Sequence, residues 1–300
     1  MDTTKRFNKL YRSRRNNEVS VNIYEELCNS TKGEFNMIKC FKNLIFLYYL
    51  ISIFGAAIVW LLLGWITNIY IGGLAAILWI VVVILIMSIF ALKKTNKIIN
   101  IMLDDCNVEE YIRICNKILV NQTDKRLRTV FMLYLAAGYI NIGNTELAEK
   151  TLNSINGFDN SKLGARNLVT YYGNLVSYYF QIKDIENVVD SMEEFKAALN
   201  NKKLSQAHRN KLKYSYSDSQ CLINMANNIY DGAEQVFNDA LSREKHMLGK
   251  VSVKYTLGLI YLHDNRPSEA SEAFEFAAKN GGNSLFNKRA KEQLEKLHNI

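Results

Sequence analysis

Residues 44–92 read LIFLYYLISIFGAAIVWLLLGWITNIYIGGLAAILWIVVVILIMSIFAL, forty-nine positions without one Asp, Glu, Lys or Arg. As a single straight helix they would run about 73 Å, more than twice a hydrocarbon core of roughly 30 Å. The stretch therefore has to turn back on itself. The turn falls at Thr67-Asn68-Ile69-Tyr70, with Gly64 before it and Gly72-Gly73 after it. Two helices result, near 44–66 and 70–92, each long enough to cross a bilayer with some tilt. Trp65 and Tyr70 flank the turn, and Tyr48 and Tyr49 sit near the other end of the first helix, where an apolar ring body and a polar tip suit the interface. Gly64 and Gly73 stand on either side of the turn, placed for a close antiparallel approach of the two backbones. With no charge inside either helix, the pair reads as an anchor rather than an ion path or substrate site.

The flanks of this hairpin carry the charge. Residues 1–43 hold nine Lys or Arg against five Asp or Glu, a net +4, and residues 93–300 hold 28 against 24, also +4. The excess is much denser in the shorter segment, and Lys93, Lys94 and Lys97 follow the apolar run directly, while the turn carries no base. Lys and Arg on both flanks and none in the turn place both termini in the cytoplasm. The expectation is an integral membrane protein of a bacterial cell membrane, the bacterial origin resting only on the abundance of Asn, Ile and Lys. The apolar run starts too late and is too long for a cleaved leader. Within the basic segment 1–43, Val21, Tyr24, Leu27 and Cys28 share one helical face and predict a short amphipathic helix.

Five cysteines, widely spaced and never in a Cys-x-x-Cys pair, speak against a disulfide framework or a zinc site. The single proline, Pro267, favours long helices. From residue 93 onward, apolar residues recur at three and four, the helical period, and no alternating run predicts a strand. Asn107-Val-Glu-Glu110 reads as a capping box opening a helix with Val108, Tyr111, Cys115, Ile118 and Leu119 on one face. The end of the second apolar helix, Lys97 to Leu103, is its expected partner. Beyond it a pattern repeats. Leu135-Ala136…Tyr139…Gly143…Ala148…Leu152 and Leu257-Gly258…Tyr261…Ala270…Phe274…Ala277 are its clearest copies; Leu175-Val176…Tyr179…Val188…Met192 and Cys221…Tyr230…Ala233…Phe237…Ala240 are weaker ones. Small residues at these anchors let the two helices of a hairpin cross closely, and Gly143 and Asn227-Asn228 suit the turns between them. Ser284 is placed to cap a last helix, about 284–298, with Phe286, Ala290, Leu294 and Leu297 on one face.

Over residues 125 to 280 the chain resembles the tetratricopeptide repeat family, whose unit is a pair of antiparallel helices. Its anchors here, Ala148, Val188, Ala233 and Ala270, are 40, 45 and 37 residues apart, longer than the usual unit of about 34. The fold expected is all-α: a transmembrane hairpin over 44–92, then a stacked solenoid of helix pairs over 93–300. The resemblance also implies a partner groove lined by the first helix of each pair, and on those faces Asn141, Phe180, Tyr255 and His263 are the expected partner contacts.

No catalytic or metal-binding pattern emerges. His208, His246, His263 and His298 are scattered, without a ligand partner at helical spacing. There is no phosphate loop, nucleophile elbow or dinucleotide fingerprint. No cofactor and no enzymatic role are expected. A net +4 spread over 208 residues is too thin for a nucleic-acid stripe. What remains is a membrane-anchored interaction scaffold that holds a protein or peptide in its groove. The alternatives are a peptide-binding regulatory sensor and an accessory subunit of a membrane complex.

Overall fold

No proline falls between Asn68 and the acidic pair Asp104-Asp105, and one helix runs from Ile69 to Leu103, through Gly72-Gly73. The computed structural model describes residues 37–66, 68–155, 157–159 and 161–298; the amphipathic face expected at Val21 to Cys28 lies outside them. Among the described residues the chain is all-helical, with twelve α-helices. The two apolar ones are α1 (Met37–Ile66) and α2 (Ile69–Leu103). Asn68 caps α2 by accepting from the Tyr70 amide at 3.0 Å. Both helices run past the predicted ends, 44 and 92. The basic flanks contain Lys and Asn but neither Pro nor Gly, so nothing stops the helix at the edge of the apolar stretch. Stretches Tyr48–Ile66 and Ile69–Met87 are long and apolar enough to cross a membrane, and most of their large apolar side chains are exposed.

α1 and α2 pack antiparallel. The Trp79 indole N–H donates to the Ile51 carbonyl at 3.3 Å. Near the turn the close approach involves Gly72: a Cβ there would fall 2.7 Å from the Gly64 nitrogen and the Trp60 oxygen, whereas Gly73 has open space. The partner of Gly64 is thus one residue away from the expected one, and one residue is about 100° around a helix.

The lower end of α2 enters the core of the helical domain. Ile98 and Met102 are buried in one cluster with Tyr111, Cys115 and Ile118 of α3 (Val108–Asn121), so α2 is the partner of α3 as the spacing predicts. Asn107 accepts from the Glu110 amide at 3.2 Å. The reciprocal half of the capping box does not form, because the Glu110 carboxylate turns to Arg113 at 2.7 Å.

Beyond α3 come four helix pairs and a last helix: α4 (Lys125–Ile142) with α5 (Thr145–Asn153), α6 (Lys162–Gln181) with α7 (Ile185–Leu199), α8 (Gln206–Ala226) with α9 (Ala233–Arg243), α10 (Met247–His263) with α11 (Pro267–Asn280), and α12 (Leu285–His298). Connections as short as Gly143-Asn144 make each pair antiparallel. The anchors Ala148, Val188, Ala233 and Ala270 are all fully buried, each in the first turn of its second helix. The first helices α4 and α6 run parallel and in register. Asn174 Nδ2 donates to the Leu133 carbonyl at 2.9 Å and Gln181 Nε2 to that of Ile140 at 2.5 Å, both bonds spanning 41 residues. Phe286, Ala290, Leu294 and Leu297 of α12 face one core with Ala270, Phe274 and Ala277, and Ser284 Oγ accepts from the Asn287 amide.

The chain also returns to its own beginning. Asn283, in the α11–α12 turn, accepts from the Val108 amide at 2.7 Å and donates its own amide to the Cys106 carbonyl at 3.3 Å. His246 Nδ1 lies 2.8 Å from Asp104 Oδ1, and Leu248 is buried with Ile98 and Met102. The C-terminal helices are therefore joined to the base of α2.

Candidate functional site

The first-helix faces do two jobs, and the four expected contacts divide accordingly. Asn141 on α4 is half-buried, its Nδ2 donating to the Ala137 carbonyl one turn back at 2.8 Å. Phe180 on α6 is half-buried against Val176, Val188, Met192 and Ile223. Tyr255 on α10 is 8% exposed; its ring packs on Phe274 and Phe286, with centroids 5.7 and 5.9 Å away. His263, at the C-terminal end of α10, is exposed. The structure gives these side chains different neighbours: Phe180 and Tyr255 belong to separate apolar clusters, and His263 lines an open cleft.

That cleft, about 490 Å³, is formed where the α8–α9 connection meets the α10–α11 turn, and Asn228, Tyr230, Asp231, Glu234, His263 and Asp264 line it with Ile229 and Gly232. Local backbone chemistry builds it. Asn228 takes a left-handed conformation, φ 63°, and so does Gly232, φ 71°; between them Ile229 is exposed, while Tyr230 packs half-buried against the cluster around Ala233 and Phe237. Tyr230 stacks on His263, centroids 3.8 Å apart and planes within 7°. His263 Nδ1 lies 2.9 Å from Asp264 Oδ1. Glu234 is tied to Arg266 at 2.7 Å. Arg266 also reaches Glu269 at 2.5 Å and lies over the Tyr261 ring. Those carboxylates hold the Arg266 guanidinium even more firmly protonated than usual, and the guanidinium in turn pulls the Glu269 carboxyl below its ordinary range.

Chemically the lining combines a flat aromatic pair, an exposed apolar side chain, Ile229, and the carboxylates of Asp231 and Asp264. Among the described residues no group of three His, Cys, Asp or Glu is placed to hold a metal ion. In the sequence Asn227-Asn228 reads as a turn and Tyr230 as a repeat position, and neither reading reaches Ile229. An isoleucine in an Asn-rich turn was the available signal, since such turns have no need of a β-branched side chain. Comparison with protein-family models, with curated proteins and with solved structures gives no match.

Proposed function

We propose that the protein is a membrane-anchored scaffold in which α1 and α2 span the bilayer, both termini lie in the cytoplasm, and the helix pairs form a tetratricopeptide-like solenoid that holds a protein partner. The observation that carries the reading is the continuity of α2. One helix of 35 residues presents exposed apolar side chains over its first half and buries Ile98 and Met102 in the helical domain at its end. An anchor joined by a flexible linker would leave the domain free to turn; this one fixes it. The Tyr230–His263 cleft is the place where a partner side chain would find apolar, aromatic and acidic groups together.

Two measurements test this. In intact expressing cells, Asn68→Cys should react with an impermeant maleimide, while tags at both termini stay protected from external protease until lysis. Digestion of either tag overturns the orientation. The full chain in detergent should retain a discrete cytosolic protein, and the Ile229→Asp, His263→Ala double variant should lose it at unchanged melting temperature. Retention that survives the double change removes the cleft as the binding place. Phe180→Ala and Tyr255→Ala are poor substitutes, because both cut into cores.

A further inference from the structure

The weak net charge of the helical domain conceals a strict division. The first halves of α4, α6, α8, α10 and α12 together hold thirteen Lys or Arg and no Asp or Glu. None of these helices has an acid in its first turn. Their partners do the reverse: α5, α7, α9 and α11 each start with a glutamate (Glu146, Glu186, Glu234, Glu269) and end with a base (Lys150, Lys196, Arg243, Lys279). The second pattern is the one the helix dipole favours; the first opposes it. Basic first turns therefore do not serve helix stability.

Two of the five stand where a membrane would be. From Met87 to Leu103 α2 descends about 24 Å, and α3, packed against it, climbs back about 21 Å over its 14 residues. By helix rise, an α3 antiparallel to α2 brings the α3–α4 turn back to the level at which α2 leaves its apolar stretch, and α1 also touches α3. α4 begins at this turn with Lys125-Arg126-Leu127-Arg128, and α6, parallel and in register with it, begins with Lys162-Leu163-Gly164-Ala165-Arg166. Lys125, Arg126, Lys162 and Arg166 are exposed. So are Leu127 and Leu163, at 45% and 37%, although the other side of each helix has a core to enter. Two acids accompany them: Asp124 caps α4, and Asp159 pairs with Arg126 at 2.9 Å. The first turns of α10 and α12 instead meet the base of α2 and are kept from this level.

We propose that the first turns of α4 and α6 form a second membrane contact, in which Lys125, Arg126, Lys162 and Arg166 meet anionic lipid headgroups and Leu127 and Leu163 enter the interface. Lys93 and Lys97, just after the apolar stretch of α2, are exposed as well. The proposal rests on α1 and α2 spanning the bilayer. Two leucines and four bases make a weak contact for a free domain. Here the anchor makes contact intramolecular, so a weak surface suffices. Its effect is to fix the tilt of the domain on the membrane according to lipid charge, and so the direction in which the cleft faces.

The test uses the full chain with Cys28, Cys40 and Cys221 changed to Ser and one new fluorophore-bearing cysteine, in nanodiscs carrying spin-labelled lipids. Leu127→Cys and Leu163→Cys should be quenched by headgroup labels in phosphatidylglycerol-containing discs. Val189→Cys, exposed at the opposite end of a second helix, should not. Quenching should be lost in phosphatidylcholine alone, in high salt, and when Lys125, Arg126, Lys162 and Arg166 are all changed to Glu. Leu78→Cys, quenched by acyl-chain labels, reports the span itself. If Leu78 is quenched while 127 and 163 behave like 189, the second contact does not exist and the basic turns serve an acidic macromolecule instead. Quenching at 127 and 163 that ignores lipid charge overturns the anionic-lipid part. An unquenched Leu78 overturns the spanning reading and this proposal with it.

Discussion

Phe274 shows what a single side chain does in these helix pairs. It is fully buried four residues after the anchor Ala270, and it occupies the space a Cβ on Gly258 would need, 2.5 Å from its ring. The small residue, the glycine and the ring are three parts of one contact between α10 and α11, and Tyr255 packs on its far side. Phe274→Ala should destabilise the full chain by about 3–5 kcal/mol, through lost transfer energy and a cavity that helix backbones cannot close. Ala270→Leu should cost about 1–3 kcal/mol by overpacking the same crossing. Urea unfolding in mild detergent, followed by circular dichroism, measures both. A loss well under 1 kcal/mol for Phe274→Ala would mean that this pair is not a cooperative part of the fold. These positions were legible in sequence because helix crossing demands a particular size at a particular place. Phe180 and Tyr255 were legible only as apolar residues on a first helix. That face serves the inter-helix core and the open side alike, so identity and period do not say which of the two a given ring enters.

At the scale of the element, each first helix ends at a left-handed residue: Gly143, Lys183, Asn228 and Asn265, with φ 86°, 60°, 63° and 54°. Behind each turn an amide reaches back five residues, Asn144 to Tyr139, Asp184 to Tyr179, Ile229 to Asn224 and Arg266 to Tyr261. This is the bond pattern that closes a helix C-terminus and satisfies carbonyls left without partners. Gly143 and Asn228 announce such turns in the sequence, because glycine and asparagine tolerate positive φ. Lys183 does not, because there the backbone bonds impose a conformation its side chain disfavours. Lys183→Gly should therefore stabilise the chain by about 1 kcal/mol. Gly143→Ala should destabilise it by at least about 1 kcal/mol, since the new methyl also meets Leu285 Cδ1 at 2.8 Å. Opposite signs for these two substitutions in thermal unfolding are the expected result; a destabilising Lys183→Gly would show that the lysine stem contributes packing that outweighs the backbone strain. The ends of α1 and α2 differ from expectation for a related reason. Hydropathy marks where a membrane could end, whereas the helix stops only at a backbone signal, and for α2 that signal waits until Asp104.

Across the whole molecule, the feature least visible in sequence is the closure of the C-terminal helices onto the base of α2. Repeat patterns report contacts between neighbours, and the four anchors lie where such contacts need them. Asn283 and Val108 are 175 residues apart, His246 and Asp104 are 142 apart, and neither pair carries any periodic signature. What the sequence did offer was Gly281-Gly282-Asn283, a turn that brings its backbone close to Cys106: Gly282, φ 55°, lies against the Cys106 carbonyl. Closure links α2 to the helices that carry His263, so a change at one should be felt at the other. Cys106 supplies a probe. It is buried beneath the closure, and burial, with Asp104 and Asp105 beside it, pushes its thiol up to about 11. At pH 8 it should therefore react with a maleimide only when the closure opens. Asn283→Ala removes the acceptor of the Val108 amide and should cost about 1–3 kcal/mol at that contact. The expected outcome is faster Cys106 labelling, in a background where Cys28, Cys40 and Cys221 are serine, with helicity unchanged and Cys115 still protected by its position in the α2–α3 core. Labelling of Cys106 and Cys115 that accelerates equally would mean the closure is no separate unit and opens only when the whole domain unfolds. Faster labelling of Cys106 alone would make the base of α2 the point at which the apolar hairpin and the cleft are mechanically joined.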